Sequence, residues 1–273
     1  MKSLTHHILV YDADCPMCLA YTKLFVTTGM LEPEGRQAYQ HIPQWVYHLL
    51  DAERAKDEIA LVNTENGKVY YGPESLLIVL STNFPFLRLL YNLLPLRWLV
   101  RHLYALVSFN RKLIVPVNAC SHARSCTPAF NLFYRGLYLF LSWMFVSWVL
   151  FHYSYRLHGL LPASRFSREW FICGGQIVFQ SAFLFLLRTD TQTRWDYLGN
   201  MMTVSLGGAL LLLPFLAVSH FISLPAYAAL GWFMAVVGLM LLEHLRRCAL
   251  LGLGKLVSAS WVVYRFLILA ILL

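Results

Sequence analysis

His6-His7-Ile8-Leu9-Val10-Tyr11-Asp12-Ala13-Asp14-Cys15-Pro16-Met17-Cys18 is the stretch that decides how the N-terminal part of this chain is read. Ile8–Tyr11 is a short apolar run of strand-forming residues, and two acids end it. Pro16 fits the first turn of a helix, where its missing N–H costs nothing. That helix is expected to continue through Leu19–Val26 and to stop at Gly29. A strand that hands C-x-x-C to a helix N-terminus is the arrangement of a redox dithiol. The helix dipole and its free N–H groups favour a thiolate at Cys15, the expected nucleophile. Cys18, one turn further and expected to be more buried, would resolve the mixed disulfide. Asp12 and Asp14 would accept the proton passed on during exchange or tune the pair. As anions they disfavour a thiolate, so Cys15 is expected to be less acidic than its position alone implies.

Working outward, Gln37–Ile42 reads as a second short strand. Gln44–Lys56 reads as a helix with Trp45, Leu49 and Ala52 on one face. Glu58–Asn63 and Lys68–Tyr71 read as strands joined at Asn66-Gly67, a strong hairpin signal. Pro73-Glu74-Ser75 opens a helix through Leu80. The order β-α-β-α-β-β-α is that of an α/β thioredoxin-like domain. Residues 84–115 are apolar but carry Pro85, Pro95, Arg88, Arg97, Arg101 and Arg111. They read as amphipathic helices, either packed on this domain or lying at a membrane surface.

Beyond this point the chain changes character. Of its 273 residues 58% are hydrophobic and only 13% charged, against about 25% charged in a soluble domain. The charges concentrate in residues 1–128 and the long apolar runs in residues 129–273. Spanning helices need roughly 20 apolar residues. Five stretches qualify: Leu132–Tyr153, Trp170–Leu187, Leu198–Val218, with Pro214 as a candidate kink, Leu224–Leu242 and Leu256–Leu273. The expected organisation is a thioredoxin-like domain over 1–115, a linker over 116–130 and an all-α transmembrane domain over 131–273. The net charge of +8 is read as the positive-inside signal rather than as a nucleic-acid surface. Arg88, Arg97, Arg101, Arg111, Lys112 and Arg124 precede the first span, and Arg188, Arg194, Arg246, Arg247 and Lys255 fall in expected loops. Arg156, Arg165 and Arg168 argue mildly the other way. With no apolar leader before Asp12, the N-terminal domain is expected in the cytoplasm, at a bacterial inner membrane.

The six cysteines are too few over this length for a disulfide scaffold. Cys120 and Cys126 form a second candidate thiol pair, either a relay toward the membrane or two unrelated linker residues. Cys15, Cys18, Cys120 and either His122 or Cys126 would also suit zinc. A c-type haem is disfavoured because Leu19 follows Cys18. Cys173 and Cys248 read as small hydrophobes. In the last span Arg265 shares a face with Ser258 and Trp261, and Asp196 and Glu243 are candidate partners for it. Arg265, Glu243, His244, His152 and His220 would serve a quinone or haem site, or snorkel at the interface.

Tyr11–Cys18 resembles the signature of the DCC family of thiol-disulfide oxidoreductases, D-G-x-C-x-x-C. Gly67–Ser75 resembles that family's hairpin and following helix. Leu103-Tyr104 with Asn110-Arg111 resembles its closing tyrosine-to-arginine segment. The resemblance covers about residues 6–115 and none of the membrane part. It implies a thioredoxin-like fold and a C-P-M-C dithiol that needs no further cofactor. Ala13 stands where the family has glycine. No proline precedes the Glu58–Asn63 strand, where thioredoxins place the cis-proline that faces the dithiol. The expected function is membrane-anchored thiol-disulfide exchange with a protein thiol or disulfide partner. The alternative is a subunit or scaffold of a membrane complex, with the N-terminal domain as a docking module.

Overall fold

The computed structural model describes residues 2–116, 128–160, 162 and 165–272. It divides into two compact units, Met1–Tyr134 and Arg135–Leu273. The first unit carries a small four-stranded mixed sheet; the rest of the chain is mostly helical.

In the first unit β1 (His7–Tyr11) leads into α1 (Pro16–Thr27), followed by β2 (Arg36–Ala38), α2 (Gln44–Leu49), α3 (Ala52–Asp57), β3 (Ala60–Asn63), β4 (Val69–Tyr71), α4 (Pro73–Ser81), α5 (Phe86–Tyr91) and α6 (Leu94–Ile114). The sheet order is β2-β1-β3-β4. The β1/β2 pair is parallel, with Leu9 opposite Arg36, and the other two pairs are antiparallel. Because β1 is internal, both of its faces are covered. Ile8 and Val10 pack with Tyr39, Val46 and Val62, while Leu9 packs with Phe25, Leu61 and Val79. An internal strand covered on both sides needs apolar residues at every position, which is why Ile8-Leu9-Val10 does not alternate.

Three elements differ from expectation. The strand expected over Gln37–Ile42 is confined to Arg36–Ala38, and the chain turns into a single 3-10 turn at Tyr39–His41. The helix expected over Gln44–Lys56 is two helices. Leu50 goes extended, and Asp51 caps α3 by accepting the N–H groups of Glu53 and Arg54, each at 3.1 Å. An Asp cap satisfies donors that an unbroken helix would have bonded through the backbone. Glu58 closes α3 instead of opening β3. The hairpin turns through Asn66-Gly67, with Gly67 at φ +68°.

The second unit is built from α7 (Leu132–Ser154), α8 (Phe166–Leu186), α9 (Thr191–Phe221), α10 (Ala226–Leu250) and α11 (Lys255–Leu272). Four helical segments, Leu132–Leu157, Phe166–Leu186, Thr191–Phe221 and Ala226–Leu250, are long and apolar enough to cross a membrane. The fifth expected span falls on α11, which has 18 residues. α9 remains one 31-residue helix through Pro214. α10 runs on to Leu250, past its expected end at Leu242, so Glu243, His244, Arg246 and Arg247 sit in a helix and not in a loop. Glu243 pairs with Arg246 and Arg247 three and four positions on, each at 2.7 Å, the spacing at which opposite charges support a helix. Arg194, also assigned to a loop, lies in the first turn of α9. Large apolar side chains such as Phe171, Val178, Phe185 and Phe221 face outward, while Gln176, Gln180, Asn200 and His244 are buried. That inverted distribution suits lipid surroundings.

Candidate dithiol site

Cys15 is the N-cap of α1, in extended backbone conformation, and Pro16 takes the first helical position. The Cys18 N–H donates to Cys15 Sγ at 3.4 Å. This is the geometry of an oxygen N-cap with sulfur in its place: the cap atom accepts one of the first-turn N–H groups that the helix leaves unpaired. Both thiols are free and nearly equally buried, Cys15 at 6% exposure and Cys18 at 8%. α1 packs against β1, so its first turn is covered together with the residues that follow it.

Asp12 is held from three directions. Gln40 Nε2 donates to its Oδ1 at 3.0 Å, and the Asp14 N–H donates to the same oxygen at 3.0 Å. The Arg111 Nη2 donates to Oδ2 at 3.1 Å. The Arg111 and Asp12 side chains are 8% and 5% exposed, so this is a buried ion pair. Gln40 also reaches Asp14 Oδ2 at 3.3 Å and accepts the Ala13 N–H at 3.1 Å. The Asp12–Asp14 turn is thus fastened to the 3-10 turn after β2. Arg111 comes from the last turns of α6 and also donates to the Lys56 carbonyl at 3.1 Å. Asn110, beside it, donates to the Leu106 carbonyl at 2.8 Å.

These groups set the electrostatics of the pair. The Cys15 thiol is pushed down to about 6, chiefly by the hydrogen bond it shares with the Cys18 side chain, then by the Cys18 N–H and the Arg111 charge; burial and Asp12 oppose this. Cys18 is pushed up, chiefly because it donates to the Cys15 sulfur, and further by burial and by the Cys15 charge. Asp12 does act against the thiolate, as expected from the sequence, but the hydrogen bonds and Arg111 outweigh it. Tyr21, on α1, is pushed up chiefly by burial. Tyr104, on α6, accepts the Ile59 N–H at 3.0 Å and is pushed up to about 12, chiefly by burial. The arrangement is an ionised Cys15 beside a protonated Cys18, the poise needed for one sulfur to attack while the other holds a proton.

A cavity of about 590 Å³ opens beside the dithiol. Most of its wall is aliphatic, from Leu76 and Leu80 on α4, Leu90 on α5, and Val100, Leu103 and Val107 on α6. Cys18, Tyr21, Tyr104, Asp12 and Arg111 share that wall. Residues 84–115, read as amphipathic helices, therefore line this cavity with one face. Their other side chains include Leu89, Leu94 and Trp98, which are exposed.

The remaining candidates fall elsewhere. Cys120, His122 and Cys126, the second thiol pair and the expected zinc ligands, lie outside the described residues. Among the described residues no three His, Cys, Asp or Glu side chains converge as metal ligands would. Asp196 and Glu243 are not the partners of Arg265. Asp196 pairs with Arg135 at 3.1 Å, and Glu243 with Arg246 and Arg247. The Arg265 guanidinium lies instead over the Trp261 ring, 4.9 Å from its centre. His244 stacks on the same indole, with ring centres 5.1 Å apart, and its Nε2 is 3.1 Å from the Tyr197 hydroxyl. Tyr197 donates to Gln180 Oε1 at 3.1 Å, and Ser260 donates to the same oxygen at 3.1 Å. Cys248 Sγ lies 3.6 Å from His244 Nδ1, and Cys173 is buried. His152 stacks edge-on against Trp148, and His220 against Phe221.

Sequence reasoning missed Gln40 as a member of the site and, outside the family resemblance, counted Arg111 as a charge of an amphipathic, membrane-flanking segment. The Asn110-Arg111 pair in the family resemblance was the signal that pointed to it. Compared with protein-family models, curated proteins and solved structures, the chain matches none.

Proposed function

We propose that this protein is a membrane-anchored thiol-disulfide oxidoreductase of the thioredoxin-like, DCC type. Cys15 is its nucleophile, Cys18 its resolving thiol, and Asp12 and Asp14 its flanking carboxylates. The observation that carries the reading is Cys15 Sγ capping α1 on the Cys18 N–H, next to a buried Arg111–Asp12 pair. A thiolate attacks a disulfide sulfur and releases a second thiolate; the neighbouring thiol then displaces the first bond. Helix cap, Arg111 and shared proton all lower the cost of the Cys15 anion. In this reading α11 is a fifth span and the dithiol faces the cytoplasm of a bacterial inner membrane. The membrane unit anchors the dithiol or passes its reducing equivalents to a membrane or exported partner.

The test is the reduction potential of the Cys15/Cys18 pair in the purified full chain, by thiol trapping across a dithiothreitol series. A reversible two-electron transition supports the reading. Thiols that never cycle refute it. The second reading, a docking module in a membrane complex, is favoured by the burial of both sulfurs. Under that reading the Cys15→Ser/Cys18→Ser variant keeps its partners and phenotype.

A further inference from the structure

The dithiol is placed oddly for a protein substrate. A protein disulfide must bring its sulfur in line with an attacking thiol at the surface, yet both sulfurs belong to residues more than nine-tenths buried. Open space meets the pair from the side instead, through the cavity whose wall includes Cys18. At about 590 Å³ it lies within the range of sites for small organic molecules, roughly 300–1,000 Å³.

The wall selects the occupant. Leucines and valines from α4, α5 and α6 exclude charged thiols and small charged disulfides, because burying an unpaired charge is costly. The polar groups on the wall include Tyr21 and Tyr104, and Arg111 beside Asp12. Tyr104 already accepts the Ile59 N–H, which leaves its own O–H to donate. Donors set in an apolar wall fit an apolar molecule with carbonyl oxygens. A wall that is aliphatic over most of its area fits an occupant that partitions into lipid.

We propose that the cavity beside Cys18 binds a lipid-soluble quinone, which takes the two electrons of the Cys15/Cys18 dithiol. The proposal rests on the redox reading above and names the acceptor for that site. Toward a quinone the two thiols exchange the roles they have toward a disulfide, because Cys18 is the one on the cavity wall. The Cys18 sulfur adds to a ring carbon and forms a C–S bond while its proton passes to Cys15 in the same step, and the displaced electron pair goes to a carbonyl oxygen. That oxygen takes the proton from Cys15. The Cys15 sulfur then attacks the Cys18 sulfur: the S–S bond forms, the C–S bond breaks, and its pair restores the aromatic ring. The second oxygen takes a proton from the medium. The dithiol is oxidised to a disulfide and the quinone is reduced to hydroquinone. Arg111 and the tyrosine hydroxyls stabilise the negative oxygens formed on the way.

The experiment uses the full chain in detergent, reduced with dithiothreitol, desalted without oxygen and mixed with a short-tailed benzoquinone. Ultraviolet absorbance follows the quinone and thiol trapping follows the cysteines. One quinone should be consumed per dithiol, and none by Cys15→Ser/Cys18→Ser. Leu103→Glu puts a charge on the cavity wall at a position that is half exposed and so tolerant of it. It should raise the quinone concentration needed for half-maximal rate about tenfold, the equivalent of roughly 1.4 kcal/mol. Its thermal melt should match that of the unaltered chain, which separates lost binding from lost folding. An unaltered quinone dependence in Leu103→Glu would remove the cavity from the reaction. If oxidised glutathione or a protein disulfide oxidises the pair and quinone does not, the quinone proposal fails while the redox reading stands. If no oxidant cycles the pair, both fail.

Discussion

Arg111→Met isolates the interaction on which the site depends. Arg111 and Asp12 are 99 positions apart and meet in a buried pair at 3.1 Å. Removing one partner of such a pair leaves an uncompensated buried charge, at a cost of about 3–5 kcal/mol. Here Asp12 keeps two donors, Gln40 Nε2 and the Asp14 N–H, each at 3.0 Å. They move the expectation to the low end, about 3 kcal/mol, part of which is the lost bond to the Lys56 carbonyl. Against a total stability of roughly 5–15 kcal/mol for a domain, that is a large fraction. Asp12→Asn keeps the side-chain volume and removes the charge. In the double variant the neutral amide at position 12 leaves no orphaned anion. The double loss should therefore fall short of the sum of the two single losses by about 2 kcal/mol, within the range for contacting residues. Pulse proteolysis across a urea series, on the full chain in detergent, measures the opening of the first unit separately from the membrane helices. A loss below about 1 kcal/mol in Arg111→Met, or strict additivity in the cycle, would show that the pair is an incidental contact and not the clamp of the dithiol turn.

Three further outcomes follow from the same geometry. Alkylation of Cys15 should rise with pH through a midpoint at about 6, where the thiol is half ionised, whereas an ordinary thiol has its midpoint at about 8.5. Arg111→Met should move that midpoint up and Asp12→Asn should move it down, as read by mass-spectrometric labelling across a pH series that brackets both values; an unmoved midpoint in both variants would refute the assignment. Gly72, at φ +59°, precedes α4, and a Cβ there would sit 2.8 Å from Glu58 Oε2. Gly72→Ala should therefore cost about 1–2 kcal/mol for the left-handed backbone alone, read by the same proteolysis assay; a neutral result would mean that this turn relaxes freely. Tyr197→Phe removes the hydroxyl between Gln180 and His244. It should lower stability by about 1–3 kcal/mol in a thermal melt of the detergent-solubilised chain, the cost of leaving buried polar groups unpaired; an unchanged melt would show that water replaces it.

Local signals in the sequence reached far into the first unit and stopped at its long-range contacts. Cys15 as a cap, Pro16 in the first helical turn and the Asn66-Gly67 turn all depend on residues close to one another along the chain, and such spacing is visible there. The break between α2 and α3 was also visible in principle, since Asp51 precedes Glu53 and Arg54 as an N-cap does. It was overridden because Trp45, Leu49 and Ala52 continue a helical period. Gln40 left no local trace, and Arg111 left only its place in the family resemblance: each meets Asp12 only after the sheet and α6 are assembled. Along the chain Arg111 is one cation among several near the first apolar helix, and the positive-inside pattern absorbed it. In the membrane half, apolar length indicated that helices exist but not where they end. α10 runs on through Glu243, which pairs with both Arg246 and Arg247 at helical spacing, so a charged stretch that looked like a loop is helix.

The burial of the dithiol changes the chemistry expected from the motif. A C-x-x-C at a helix start predicts an exposed first cysteine and a covered second one, with the substrate arriving at the first. Here Cys15 is covered, Arg111 reaches from α6 to the Asp12 turn that precedes it, and the open side of the pair is the one on which Cys18 stands. The side chains that stabilise the Cys15 anion also shield it, since an arginine near enough to act on a thiolate occupies space that a protein substrate would need. In the quinone proposal an acidic but covered Cys15 works within the pair: it accepts the Cys18 proton as the Cys18 sulfur bonds its partner, and later displaces that partner. Approach through the aliphatic cavity keeps water from both sulfurs during that exchange, and low polarity strengthens the Arg111 charge acting on them. The proposed reaction from the Cys18 side thus rests on where α6 places one arginine, a consequence that the four residues of the motif do not contain.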